Sequence, residues 1–277
     1  MALPDIGKIG VWLRADAATA SAARTAERLG YGAVWIGGSP SGDLEHVREL
    51  LAATSIPIAT GIINVWASPA EQTAQAFLAL PDAYRERTIL GVGIGHREAT
   101  AEYRSPFATL EKYVDDLLAA GVPRSHVVLA ALGPRVMRLA GERTAGAHPY
   151  FTTPAHTAQA REILGAGPLL APEQKVLLNS DPDEARRIAR PTAKRYFGLR
   201  NYAAMLKRLG FTDADLAGEG SDRAVDAAVA HGDVHRVAAV VRAHLDAGAD
   251  HVCIQPLGDL EAELTALADV LPVATRG

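Results

Sequence analysis

The chain of 277 residues carries a single cysteine, so no disulfide can form within it. That residue, Cys253, sits in the apolar run HVCIQPL and reads as core packing in a reducing, cytoplasmic setting. Its nine histidines fall in no metal-ligand spacing with a partner carboxylate, so no metal is expected. No apolar run approaches the roughly 18 residues needed to span a bilayer. The opening stretch MALPDIGKIGVWLRADAA lacks the basic region, apolar core and cleavage site of a signal peptide. Charge of neither sign dominates: 28 Lys and Arg face 32 Asp and Glu, for a net charge of -4. Nothing in that balance points to nucleic acid or a membrane as partner. There is no low-complexity segment and no G-x-G-x-x-G after the first apolar run.

What is present is a rhythm. Short apolar runs alternate with amphipathic segments. The runs are IGVWL (9–13), AVWIGG (33–38), IPIATGIINVW (56–66), TILGVGIG (88–95), HVVLAAL (126–132), AHPYFT (147–152), KVLLNS (175–180) and HVCIQPL (251–257). Helical patterns follow each, as at 19–29, 44–53, 69–80 and 110–120, with Ser68 as an N-cap before Pro69. Eight strands alternating with helices predict an α/β fold, a (β/α)8 TIM barrel formed by one domain over 1–277. A doubly wound open sheet fits less well, given the strand count and the missing dinucleotide fingerprint. One region breaks the alternation. Between the seventh and eighth strands, from 181 to about 250, no strand signal occurs. The segment 181–233 is assigned as a helical insertion over the barrel mouth, where a lid or pocket wall is usual and plain surface padding or an oligomer contact is the alternative.

The stretch VVLAALGPRVMRLAGERTAGAHPYFTTP (127–154) reads strand, tight turn, helix, turn, strand. Leu132, Gly133 and Pro134 form the turn, with Pro134 suited to the first helical position. Free N–H groups and the positive end of a helix dipole meet there, which makes an anion site. An ordinary βα unit with no ligand produces the same pattern. Gly61 lies late in the third strand, where glycine marks a bulge or a close approach of backbone. Asn64 shares a face with Ile62, and its amide both donates and accepts. It is equally suited to a turn at a strand end. Gly91, Gly93 and Gly95 leave room at the end of the fourth strand, and His96 follows directly. Its imidazole can move protons near neutral pH, or sit solvated in a loop. Trp12 and Trp66 end or follow strands and either wall a substrate pocket or pack in the core.

Four stretches together resemble the luciferase-like family of flavin and deazaflavin oxidoreductases. They are VWIGG, ATGIINVWASPAEQTAQAF, LGVGIGH and AALGPRVMRLAGERTAGAHPYFTTPAHTAQARE. The later pieces GFTDADLAGEGSDRAVDAAVAHGD and AGADHVCIQPL are similar to the tail of a subgroup of probable F420-dependent oxidoreductases. The resemblance implies a homodimeric barrel that binds coenzyme F420, or alternatively FMN, at the C-terminal ends of the strands. It implies hydride transfer between the ring and a small organic substrate. An FMN-dependent monooxygenase or reductase, and a cofactor-binding protein with little turnover, are the alternatives. By the same resemblance Gly37, Gly38, Gly61, Ile62, Asn64, Gly93 and Gly95 border the cofactor, and Leu132, Gly133 and Pro134 hold its phosphate. The Gly61–Ile62 bond is expected to be cis. His96 takes the place of a proton-transferring glutamate, with Asn64 beside it, and Arg97 or Arg135 suits an anionic tail. The chain departs from the sugar-phosphate dehydrogenase relatives at Gly37-Gly38-Ser39, where those carry an Asp-His pair.

Overall fold

The structure is a computed structural model that describes residues 2–97 and 105–274. Its strands are β1 (Ile9–Arg14), β2 (Val34–Gly37), β3 (Ile58–Gly61), β4 (Ile63–Asn64), β5 (Thr88–Gly93), β6 (Val127–Leu129), β7 (Gly146–Ala147), β8 (Leu169–Leu170), β9 (Glu173–Leu178), β10 (Val229–Gly232) and β11 (Val252–Pro256). All recorded pairings are parallel. The path runs from β11 through β1, β2, β3, β5, β6 and β7 to β8. β8 leads through Ala171 and Pro172 into β9, which pairs with β11, so the sheet curls back on itself. This is a TIM-barrel-like α/β fold.

Each strand has a period of two, and the two faces serve different cores. Trp12, Ala33, Trp35, Ala59, Ile89, Val128, Ala171 and Cys253 form a buried cluster drawn from the strands, inside the curl. Ile9, Val11, Leu13, Val34, Ile36 and Ile58 face the other way and pack under the helices. Those helices are α1 (Ala20–Arg28), α2 (Glu45–Ala53), α3 (Ala70–Leu78), α4 (Asp82–Arg85), α5 (Pro106–Ala119), α6 (Pro134–Arg143), α7 (Pro154–Leu164), α12 (Val234–Asp246) and α13 (Leu260–Ala268). Cys253 is buried with no disulfide partner, and burial pushes its thiol well up.

Between β9 and β11 lie α8 (Pro182–Phe197), α9 (Arg200–Arg208), α10 (Asp213–Leu216) and α11 (Asp222–Ala228) before β10 and α12. They carry a core of their own, including Phe151, Leu177, Phe197, Tyr202, Met205 and Val225. Arg186 ties α8 to α11 through a two-point ion pair with Asp226 at 2.9 and 2.7 Å. No strand is expected there from sequence, yet β10 adds to β9 in parallel, with Val229 opposite Lys175. VAHG is too short to show a period and follows the helical run of α11 without a break. Other boundaries differ from expectation as well, and β8 is a strand not expected from sequence. The sixth strand shrinks to β7, although the His148 N–H still donates to the Leu129 carbonyl at 2.8 Å and the Pro149 carbonyl accepts from the Glu173 N–H at 2.8 Å. The third strand divides into β3 and β4 at Ile62. Ser68 does not cap α3: Pro69 takes the N-cap position, and the Ser68 hydroxyl instead accepts from the Gly42 N–H at 3.0 Å.

No helix among the described residues is long and apolar enough to cross a membrane.

Candidate active site

The C-terminal ends of the strands bring most of the sequence-predicted residues to one mouth. The Gly61–Ile62 peptide bond is cis, as expected for this position. Ile62 reaches toward β5, where a methyl group on Gly93 would meet its side chain at 3.1 Å and Ala130 at 2.9 Å. Gly95 has a positive φ of 57°, the left-handed conformation that favours glycine, and a methyl there would lie 2.8 Å from Asn64 Nδ2. Asn64 takes the turn role read from its sequence position. Its Oδ1 accepts from the Trp66 N–H at 3.0 Å, forming the turn, while its Nδ2 faces Gly95. The Trp66 indole donates to the Ile94 carbonyl at 2.9 Å and fastens the end of β5. His96 is set 5.6 Å from the ring of Tyr202 on α9. Arg97 is exposed, beside the undescribed residues.

Gly37 and Trp12 meet in an arrangement that the sequence does not disclose. A methyl on Gly37 would lie 1.8 Å from the Trp12 ring, and one on Gly61 would lie 2.7 Å from its Nε1. The two glycines therefore give their space to the Trp12 indole, which lies across β2 and β3. Gly38 follows with a positive φ of 78° and turns the chain out of β2.

The turn at 132–134 is built as its sequence suggests. Gly133 is the N-cap of α6 and Pro134 its first residue. No heavy atom lies within 4 Å of where a Gly133 side chain would begin. The Leu132 carbonyl accepts from His156 Nε2 at 3.1 Å and from the Arg208 guanidinium at 3.2 Å. A cation from α9 thus stands at the positive end of α6, and both favour an anion. Burial lowers the pKa of His156, keeping it neutral. Arg135 stacks on Phe107, its guanidinium 3.6 Å from the ring centre.

A buried polar cluster in the mouth was missed in the sequence. Lys175 Nζ donates to Gln255 Oε1 at 2.6 Å, to Tyr150 at 2.7 Å and to Glu173 at 3.1 Å. Tyr196 of α8 donates to the Tyr150 hydroxyl at 3.1 Å. The other Glu173 oxygen accepts from the N–H of Phe151, which sits at φ 54°. Burial pushes the Glu173 carboxyl up and the Lys175 ammonium down, and each partner's charge opposes the shift of the other. Phe151 stacks on Tyr196 at 4.6 Å, and Tyr196 meets Tyr202 edge-on at 5.0 Å. These aromatic rings roof the mouth with side chains from β9's following helices. The signal available in sequence was Glu173 and Lys175 two apart in APEQKVLLNS: two charges on one face at the start of a strand that runs on as VLL.

A groove of about 580 Å³ lies at the opposite face of the barrel, lined in part by Leu3, Arg124, Thr144 and Pro168, away from these residues. Among the described residues no group of His, Cys, Asp and Glu is placed to hold a metal ion.

No family model and no curated protein matches the sequence. Solved structures do match in fold. An F420-dependent secondary alcohol dehydrogenase in complex with an F420-acetone adduct superposes with a TM-score of 0.72 at 15% identity, over 96% of this chain and 98% of that one. The coenzyme F420-dependent tetrahydromethanopterin reductase from Methanopyrus kandleri gives 0.73 at 16% identity, over 98% and 99%. The oxygenating constituent of the 3,6-diketocamphane monooxygenase of Pseudomonas putida, in complex with FMN, gives 0.66 at 14% identity, over 99% and 100%. The chain therefore has the fold used by F420- and FMN-dependent oxidoreductases, end to end.

Proposed function

We propose that the protein is an F420-dependent oxidoreductase that moves a hydride between the deazaflavin and a small organic substrate. The observation that carries this reading is the open N-terminus of α6 at Gly133, with Arg208 fixed on the preceding carbonyl. It is a phosphate cradle at the strand ends, beside a mouth floored by Gly61, Ile62, Gly93 and Gly95. When bound, the cofactor supplies a carbon that takes or gives the hydride. The protein's own groups do the rest. The backbone N–H groups after Gly133 hold phosphate, and the free Asn64 amide hydrogens meet the polar edge of the ring. His96 moves a proton at the mouth, and the aromatic roof from α8 and α9 excludes water. In this reading 181–233 is the lid of a (β/α)8 barrel, and the working unit is a cytoplasmic homodimer with Trp12 and Trp66 near the substrate.

The FMN-dependent reading draws on the fold shared with the FMN-bound monooxygenase. Titration of purified protein with F420 and, separately, with FMN, followed by fluorescence, tests the choice. Saturable binding of F420 alone supports the proposal. Binding of FMN alone moves the protein to the flavin branch. Binding of neither overturns both, and binding without reduction of any substrate leaves a carrier of the cofactor.

A further inference from the structure

Two buried nitrogens in the barrel have no protein partner, and they converge on one point. Trp12 is 4% exposed and His148 is 1% exposed. Among the described residues neither Trp12 Nε1 nor His148 Nε2 meets a hydrogen-bonding atom. A methyl group on Gly61 would lie 2.7 Å from the first and 3.1 Å from the second, so both nitrogens border the same spot beside the Gly61 Cα. Their polarities are fixed and opposite. The indole nitrogen only donates. His148 Nδ1 lies 2.7 Å from the Ala171 carbonyl, which can only accept, so Nδ1 carries the proton and Nε2 presents its lone pair. The imidazole cannot turn freely, because its ring stacks on Trp35 with centres 4.2 Å apart. Burial holds His148 neutral, with a pKa near 4, so this assignment persists at neutral pH.

We propose that Trp12 Nε1 and His148 Nε2 form a binding point for one hydroxyl group, which accepts from the indole and donates to the imidazole. The chemistry of the pair selects its guest. A ketone or carboxylate has no proton for His148, and an ammonium has no lone pair for Trp12. Water and the hydroxyl of a small alcohol satisfy both. A polar site with two partners of this kind holds a guest, whereas an apolar void stays dry. The inference goes beyond the cofactor reading and stands without it.

The test uses the whole chain without added cofactor. The three indole N–H signals in an ¹⁵N–¹H spectrum come from Trp12, Trp35 and Trp66. Trp12→Phe removes and so assigns one of them. Trp35 and Trp66 donate to His251 and to the Ile94 carbonyl, and they serve as internal controls. A nuclear Overhauser cross-peak between the Trp12 N–H and water, absent for Trp35, identifies a bound water. A saturable shift of the Trp12 signal with propan-2-ol, and none with acetone, identifies an alcohol hydroxyl. Either result supports the site. A Trp12 signal with no water cross-peak and no response to propan-2-ol overturns it, as does an equal response to acetone. Gly61→Ala crowds a methyl against both nitrogens and abolishes the cross-peak while the other two indole signals remain. Loss of F420 and FMN binding in a protein that keeps the cross-peak would sink the cofactor reading alone.

Discussion

Lys175 and Glu173 form an ion pair at 3.1 Å in which neither side chain has any solvent exposure. Two charges taken out of water are stabilised only where geometry and further hydrogen bonds offset the desolvation. Here Gln255, Tyr150 and the Phe151 N–H supply those bonds. Removing one partner strands the other. Lys175→Met is expected to destabilise the fold by about 3–5 kcal/mol, because Glu173 is left buried without its cation. Lys175→Met with Glu173→Gln should recover a large part of that loss. Urea unfolding of the two single variants and the double variant gives the coupling. Additive losses would show that the pair does not act as a unit.

The contact of Gly37 with Trp12 makes a second expectation. Gly37→Ala drives a methyl into the indole, at 1.8 Å from its nearest carbon. The ring must leave its bed across β2 and β3, and overpacking of this sort costs about 1–3 kcal/mol. The change should appear in the Trp emission and near-ultraviolet dichroism. Gly133→Ala is the control, since nothing lies within 4 Å of the added methyl. An unchanged spectrum in Gly37→Ala would mean that Trp12 does not lie where it is described.

The fold was legible because it is written in periods. Apolar runs such as TILGVG and amphipathic stretches such as ASAARTAER alternate in an order that leaves few architectures. The turn at Leu132 to Pro134 was legible for the same local reason: proline and glycine act on their own neighbours. β10 was not, because VAHG gains its strand conformation from pairing with β9 rather than from its own pattern. The Lys175 cluster was illegible in full, since Tyr150, Gln255 and Tyr196 come from three distant segments. By resemblance Gly37 borders the cofactor, and what the sequence does not disclose is that its side-chain space is taken by Trp12, which sequence had placed only near the mouth. A glycine reports that something approaches closely, and not what it is.

Acid should weaken the fold through its buried histidines. Burial lowers His148 and His251 from the usual 6.5 to about 4, and His244 to about 3. The unfolded chain therefore holds more protons than the native one between these values. Stability is fully present above the unfolded pKa and falls as pH drops from 6.5 toward 4, with His244 extending the loss lower. Each group at about 4 contributes about 3 kcal/mol across that window. Glu263, raised by burial, works in the opposite direction and softens the slope. The urea midpoint should drop between about pH 7.5 and pH 5, and His251→Gln should flatten the dependence. A midpoint that is level across this range would contradict the buried neutral state of these residues.

On the proposed reading, the turn at α6 sets affinity for phosphate while Asn64 reads the ring. Arg208 reaches the Leu132 carbonyl from α9 and adds a cation to the helix dipole. Arg208→Gln removes that charge and leaves a shorter, neutral polar side chain. Binding of any phosphate-bearing cofactor should weaken by about tenfold, in line with one lost charge-assisted contact of about 1.5 kcal/mol. The loss should shrink as salt is raised, because exposed charges are screened. Asn64→Ala behaves differently. It withdraws the amide facing Gly95, so the weakening should persist at high salt, and inorganic phosphate should bind the variant as it binds the parent. Titrations of both variants at low and high salt, with the cofactor and with phosphate alone, distinguish the two roles. Equal salt dependence in both would mean that Asn64 and Arg208 serve a single electrostatic function and that the mouth does not read the ring.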